Sequence, residues 1–268
     1  MTGTTGPAVP RAVVLGSGTA VPSLSRGAPG LLVTAGQAVI LFDMGPGTMG
    51  RLLKAGVTVD RVTHVFLTHR HLDHSGELAA FLFARKYPGF DNTTGGTLTV
   101  GGGPGMRAFM GGLFRLYGSS IEQKTGSVAI LEFDGPGWGS CTVGSLEIRT
   151  LPLEHTESSV GFRLETAEHR SLVVTGDTAY CANAVRLAGK ADILICEAST
   201  PDGQGIAGHL TPSEAGRIAR EADVKRLVLT HFYPECDGAD LAAQCRKAWP
   251  GPLTLAEDGM AFSLEGGD

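Results

Sequence analysis

His69-Arg70-His71-Leu72-Asp73-His74 follows the apolar run Val62–Leu67 and precedes a helical pattern that opens at Gly76. Three of the chain's eight histidines fall inside these six residues, together with an aspartate. A loop at the end of a strand is exposed, yet the strand behind it holds its backbone firmly. His69 and His71 alternate and therefore point to one side. Asp73 and His74 turn back toward them as the helix begins. Four metal-ligand groups thus converge within one short segment, which reads as half of a metal centre.

Other strand ends offer matching groups. His155 follows Leu146–Leu153, Asp177 follows Ser171–Thr175, and His231 follows Leu227–Thr230. A single histidine at a strand end is commonly a structural hydrogen-bonding residue, and Gly176-Asp177-Thr178 alone reads as a turn. Their recurrence at four strand ends of a histidine-poor chain favours ligation. Imidazoles and carboxylates without thiolates suit Zn²⁺, with Mn²⁺ or Fe²⁺ as alternatives. The seven groups His69, His71, Asp73, His74, His155, Asp177 and His231 exceed what one tetrahedral ion takes. They suit two ions sharing a carboxylate, about 3.5–4 Å apart, that activate a bridging hydroxide and clamp a phosphoryl or carbonyl oxygen.

Around these sites the chain alternates short apolar runs with turns. Its 39 glycines among 268 residues are spread as punctuation and mark no domain boundary. Strand-like runs occur at 12–15, 31–34, 38–42, 62–67, 97–100, 128–133, 146–151, 160–164, 171–175, 193–196 and 227–230. Helical periodicity occurs at 48–55, 76–86, 106–116, 182–187, 213–222 and 241–248. Thr211, Pro212 and Glu214 form an N-cap, an N1 proline and a capping box. The expected class is α/β; two mixed sheets packed face to face with helices outside, giving four layers, is one option among several that the pattern allows. One domain is expected over residues 11–268, after a flexible tail at residues 1–10. Pro88–Gly96 and Asp134–Ser140 read as the longest loops. Gly16-Ser17-Gly18-Thr19 lacks the third glycine of a dinucleotide loop and reads as a tight turn. Gly101–Gly105 reads as a flexible link between a strand and its helix.

Composition narrows the function. A net charge of -5 weighs against general nucleic-acid binding. Five cysteines without a CxxC pair fit reduced thiols. With no long apolar run and no signal-like start, a cytoplasmic protein without a membrane span is expected.

The order His-x-His-x-Asp-His, then His, Asp and His, resembles that of the metallo-β-lactamase-fold hydrolases, and within them the ribonuclease Z branch. The resemblance also takes in Leu15–Pro22, Leu41–Gly45, His155–Arg163, Cys196-Glu197-Ala198, His209 and Thr230–Phe232. It implies the αββα sandwich of that superfamily, with His69, His71 and His155 holding one ion, Asp73, His74 and His231 holding the other, and Asp177 bridging. It further implies that Asp43 orients a ligand histidine, and that Glu197 and His209 carry a proton to the leaving oxygen. Asp73 doubles as an acceptor for the water's proton. The resemblance also suggests a homodimer.

One family feature is missing. Ribonuclease Z enzymes that process tRNA carry an arm between the late histidine and the bridging aspartate. Here only residues 156–176 lie between His155 and Asp177, and two strands and a turn fill them. Phe232-Tyr233-Pro234-Glu235 also departs from the small and basic residues usual there. Small cyclic or linear phosphodiesters are therefore the expected substrates rather than tRNA. A tRNA 3′ endonuclease, and a lactone or aryl sulfate ester hydrolase, are the competing readings.

Overall fold

A computed structural model describes residues 10–86, 97–122 and 127–264. The tail before Pro10 and the loop expected at Pro88–Gly96 lie outside them.

Among the described residues, the eleven strands read from the sequence and three that it did not signal assemble into two seven-stranded sheets. The first contains β1 (Arg11–Gly16), β2 (Gly30–Ala35), β3 (Ala38–Phe42), β4 (His64–Leu67), β5 (Leu98–Gly102) and β6 (Val128–Glu132), with β14 (Ala261–Ser263) added beside β1. The second runs from β7 (Gly139–Val143) through β8 (Leu146–Pro152), β9 (Val160–Glu165), β10 (Ser171–Val174), β11 (Ile193–Glu197) and β12 (Arg226–Thr230) to β13 (Leu253–Leu255). Both are mixed. β3 to β6 run parallel, as do β10 to β13, while the remaining pairs are antiparallel.

Alternation of side chains sorts the apolar residues into layers. On β1, Ala12 and Val14 face the opposite sheet, whereas Val13 and Leu15 face helices. The layer between the sheets includes Phe42, Phe66 and Phe162, whose ring centroids lie 5.2–5.7 Å apart. Such aromatic pairs add about 0.5–1.5 kcal/mol each beyond their burial. Outside the first sheet pack α1 (Thr48–Lys54), α3 (Leu78–Ala84) and α4 (Met106–Tyr117). Outside the second pack α5 (Ala182–Ala188), α6 (Pro212–Glu221) and α7 (Leu241–Arg246). Burial on both faces explains why the central strands are nearly continuous apolar runs. The result is the four-layer αββα sandwich. At the start of α6 the Glu214 carboxylate accepts from the Thr211 N–H at 2.8 Å, which completes the capping box.

Three expectations change. Asp134–Ser140 is not all loop, because Gly139 and Ser140 begin the edge strand β7. Gly101 and Gly102 belong to β5, and only Gly103-Pro104-Gly105 links it to α4. A helix also begins earlier than Gly76. The short α2 (Leu72–Ser75) starts inside the histidine motif, with His71 extended at its N-cap.

Candidate metal centre

All the sites singled out in the sequence lie at one edge, where strands end. β4 leads into His69, His71, Asp73 and His74, and β3 into Asp43. β8 leads into His155, β10 into Asp177 and β12 into His231, while Glu197 is the last residue of β11. A crevice at the carboxyl ends of strands is where open α/β sheets bind ligands. Sharp turns aim these residues. Asp43 and His231 have φ of 61° and 63°, a left-handed conformation that costs non-glycine residues energy and persists only where the surroundings enforce it. Gly176 has φ of 62°, and a Cβ there would sit 2.4 Å from Thr68 Cβ. Glycine thus lets the β10 loop press against the β4 loop.

The side chains converge into two groups that share Asp177. His69, His71, His155 and Asp177 form one, and Asp73, His74, Asp177 and His231 form the other, each with potential ligand atoms within 4.8 Å. The two oxygens of Asp177 face different ways. Oδ2 lies 3.7 Å from His69 Nε2 and 3.8 Å from His155 Nε2. Oδ1 lies 3.2 Å from His74 Nε2 and 3.3 Å from His231 Nε2. Asp73 Oδ2 stands 3.6 Å from His231 Nε2 and 3.7 Å from His74 Nε2. Each group takes two residues from loops of the first sheet and two from loops of the second.

The outer nitrogens of these imidazoles are engaged. His74 Nδ1 meets Asp43 Oδ2 at 2.8 Å, His155 Nδ1 donates to Gly208 O at 2.9 Å, and His69 Nδ1 meets Thr68 Oγ1 at 3.1 Å. Thr68 in turn donates its N–H to Asp43 Oδ1 at 2.8 Å. Such outer partners fix the ring orientation and proton position of a metal-binding histidine. Within the cluster, by contrast, His69 Nε2 and Asp177 Oδ1 are buried without a hydrogen bond. His155, its proton committed to Gly208, presents a lone pair to His71 Nδ1 at 3.1 Å. Buried acceptors left without a donor are costly in protein alone and are what a cation satisfies.

Electrostatics point the same way. Burial, with the His74 charge adding to it, pushes His69 down to about 2, so it is neutral and free to donate a lone pair. Burial also opposes a charge on His74, but Asp177 and Asp43 outweigh it and hold His74 well above its usual range. Burial raises Asp177, yet the neighbouring His231 and His74 imidazoles carry it well below the carboxylate range. Asp177 and Asp43 therefore stabilise positive charge at His74, while burial leaves His69 a neutral lone-pair donor, the two things a cation site needs.

Beside it lies Glu197, 1% exposed. Its Oε1 accepts from the Thr178 N–H at 2.8 Å and from His209 Nδ1 at 3.0 Å. Its Oε2 accepts from Ser199 Oγ at 2.5 Å and from the Leu210 N–H at 3.2 Å. Burial lowers His209, but the bond to Glu197 and its charge prevail and raise it above the ordinary imidazole range. Glu197, His209 and His231 also stand close enough to form a third ligand group. They are already joined through Ser199, which is 2.9 Å from His231 Nδ1 and 3.1 Å from His209 Nδ1, so they read as a hydrogen-bonded set.

Sequence reasoning missed Ser199, Thr68 and the Gly208 carbonyl. It also missed Tyr233, whose ring stands edge-on to His209 and His231 at 6.2 and 6.0 Å. A cue for Ser199 existed, since it lies two residues beyond Glu197 and the period of extended chain puts both on one side. A main-chain acceptor such as Gly208 O has no sequence signature.

From Asp73 a groove of about 480 Å³ runs outward, walled by Val21, Pro22, Ala28, Pro46 and Leu72. Its two guanidinium groups serve the protein itself. Arg26 donates to Ala256 O at 2.7 Å and to Ser17 Oγ at 2.8 Å, and Arg51 donates to Ala28 O and Pro46 O.

A two-sheet sandwich whose strand ends carry two groups of imidazoles and carboxylates able to hold metal ions is the frame of a metal-dependent hydrolase. The chain belongs to the beta-lactamase superfamily domain family, whose model matches residues 39–232, and within it to a ribonuclease Z-like branch. It is 28% identical to "Ribonuclease Z" of Haloferax volcanii over 309 residues, which covers 95% of each. Its fold matches the metallo-beta-lactamase fold protein YhfI of Bacillus subtilis with a TM-score of 0.80 at 25% identity, over 96% of this chain and 100% of that one. It also matches the short form of human tRNase Z with a TM-score of 0.78 at 26% identity, over 95% and 99% respectively.

Proposed function

We propose that this protein is a two-zinc phosphodiesterase acting on small cyclic or linear phosphodiesters. The observation that carries the reading is the Glu197–His209 pair, which stands at the rim of the metal cluster with His209 Nδ1 3.9 Å from Asp177 Oδ2. His69, His71 and His155 would hold one ion and Asp73, His74 and His231 the other, with Asp177 shared. The seven-group set of imidazole and carboxylate without thiolate suits Zn²⁺. When bound, the ions would lower the pKa of water and neutralise charge developing on the phosphoryl oxygens.

The chain's own groups supply the rest. Glu197 holds His209 through Nδ1, which leaves Nε2 as the atom that gives a proton to the departing oxygen. The raised pKa keeps a larger fraction of His209 protonated near neutrality, as a general acid requires. Burial raises Asp73, but the neighbouring His231 and His74 imidazoles bring it below the usual carboxylate range. It is therefore ionised and can accept a proton from water while it holds its metal. An ester with a stabilised leaving group, such as an aryl sulfate, has less need of the His209 proton, so the pair favours phosphodiesters that expel an alkoxide.

The groove supports a small substrate, since about 300–1,000 Å³ is the usual size of small-molecule sites. Its apolar walls and self-engaged arginines offer little to a phosphate backbone. Between His155 and Asp177 the chain forms only the β9–β10 hairpin with its turn at 166–170. That interval has no space for an arm, which further disfavours tRNA. The names of the Haloferax and human relatives favour the tRNA reading, and the same assay decides it. Zinc-loaded protein should turn over bis-p-nitrophenyl phosphate and at least one member of a cyclic-nucleotide panel. Cleavage of a tRNA precursor with neither of those activities would establish the ribonuclease instead.

A further inference from the structure

Ser199 belongs to no motif, yet its hydroxyl is where one metal-ligand group meets the acid pair. The residue is fully buried, and Oγ contacts Glu197 Oε2 at 2.5 Å, His231 Nδ1 at 2.9 Å and His209 Nδ1 at 3.1 Å. A hydroxyl has one proton and two lone pairs, whereas an ionised carboxylate only accepts. The proton of Ser199 therefore goes to Glu197, and its lone pairs are left for the two imidazoles. Glu197 is saturated, because Thr178 N–H, His209, Leu210 N–H and Ser199 fill the four acceptor positions of its two oxygens. The hydroxyl cannot turn away without leaving a buried carboxylate one donor short.

This arrangement sets the proton positions on both histidines. To bond an accepting hydroxyl, His231 must carry its proton on Nδ1. Its Nε2 lone pair is then directed to the cluster, where it stands 3.3 Å from Asp177 Oδ1 and 3.6 Å from Asp73 Oδ2. The Nδ1 proton of His209 is shared between Glu197 Oε1 and Ser199 Oγ, so the same hydroxyl braces the acid.

We infer that Ser199 is a positioning residue that fixes the His231 tautomer and ties the metal group containing Asp73, His74 and His231 to the Glu197–His209 pair. The inference rests on the two-metal reading of the site. The neighbouring hydroxyl does not serve in its place: Thr200 Oγ1 is buried and has no hydrogen-bond partner.

The test compares Ser199→Ala and Ser199→Thr with the wild type in the full chain. Metal affinity is read by competition with a chromophoric chelator, and ligand geometry from the absorption bands of the Co²⁺-loaded protein. Loss of an outer partner costs about 10–100-fold in metal affinity. Ser199→Ala should weaken one of the two ions by that factor, spare the other and shift the Co²⁺ spectrum, while Ser199→Thr restores both. Wild-type affinity for both ions and an unchanged spectrum in Ser199→Ala would overturn the role. Should that variant not fold, nitrogen-15 NMR of zinc-loaded wild type decides. A His231 proton on Nδ1 supports the inference, and metal-bound Nδ1 refutes it. A wild-type protein that binds fewer than two ions would instead overturn the site reading, and this inference with it.

Discussion

Replacing His209 with alanine should damage the enzyme in proportion to how much its leaving group needs a proton. The imidazole is held by a 3.0 Å bond to a carboxylate whose other acceptor positions are filled, so its orientation is set before substrate arrives. A positioned general acid contributes about 10²–10⁴-fold, equivalent to roughly 2.7–5.5 kcal/mol of barrier. A cyclic nucleotide expels a sugar alkoxide and needs that proton. A nitrophenyl diester expels a phenolate that leaves unaided. For His209→Ala we expect kcat/KM to fall about 10²–10⁴-fold on the first substrate and less than about tenfold on the second. Wild-type activity on the alkoxide-leaving substrate should decline as pH rises through the His209 pKa, which Glu197 holds above the ordinary value against the opposing effect of burial. The variant should lack that decline. Because the mutation also removes one donor from buried Glu197, at a cost of about 1–3 kcal/mol, circular dichroism must first show a folded protein. Equal losses on both substrates, or no loss on the cyclic nucleotide, would refute the assignment of His209 as the acid.

Further outcomes follow from the same geometry. Asp177→Asn should remove both ions together, because the two oxygens of that carboxylate face different groups, and metal analysis of the purified variant would show it. Metal loading near pH 7 should release at least one proton, since His74 is held protonated against its burial by Asp177 and Asp43. Protons compete for that site below its raised pKa, so affinity should rise with pH, and calorimetry in buffers of differing ionisation enthalpy would detect the release. Gly176→Ala combines a left-handed backbone with a 2.4 Å clash on Thr68 and should cost more than about 1–2 kcal/mol in denaturant unfolding, with loss of metal affinity. Asp43→Ala should weaken metal binding about 10–100-fold, measured with a competing chelator, because it frees the His74 ring.

Much of this was legible in the sequence, for physical reasons. Strands buried on both faces appear as unbroken apolar runs, and each of the seven candidate ligands follows one of them, so their convergence could be anticipated; His209, in the loop before α6, has no such strand before it. What escaped lacks such a signal. β7 is an edge strand begun by Gly139 and Ser140 and partly open to solvent, while β13 and β14 have only three residues each. The helix start at Leu72 was hidden because the histidine motif reads as loop chemistry until His71 is seen extended at the N-cap. Ser199 escaped because its one cue, a two-residue spacing from Glu197, gains meaning only from the distances to Glu197, His209 and His231.

The split origin of the ligands has a kinetic consequence. Each candidate metal group draws two residues from either sheet, so an ion held there would join the halves of the sandwich as a rivet joins two plates. No ion can leave by the loosening of one loop alone while the remaining donors keep their grip. Its escape into excess chelator should therefore keep time with the parting of the sheets, and metal release becomes a clock for how often this edge of the protein opens.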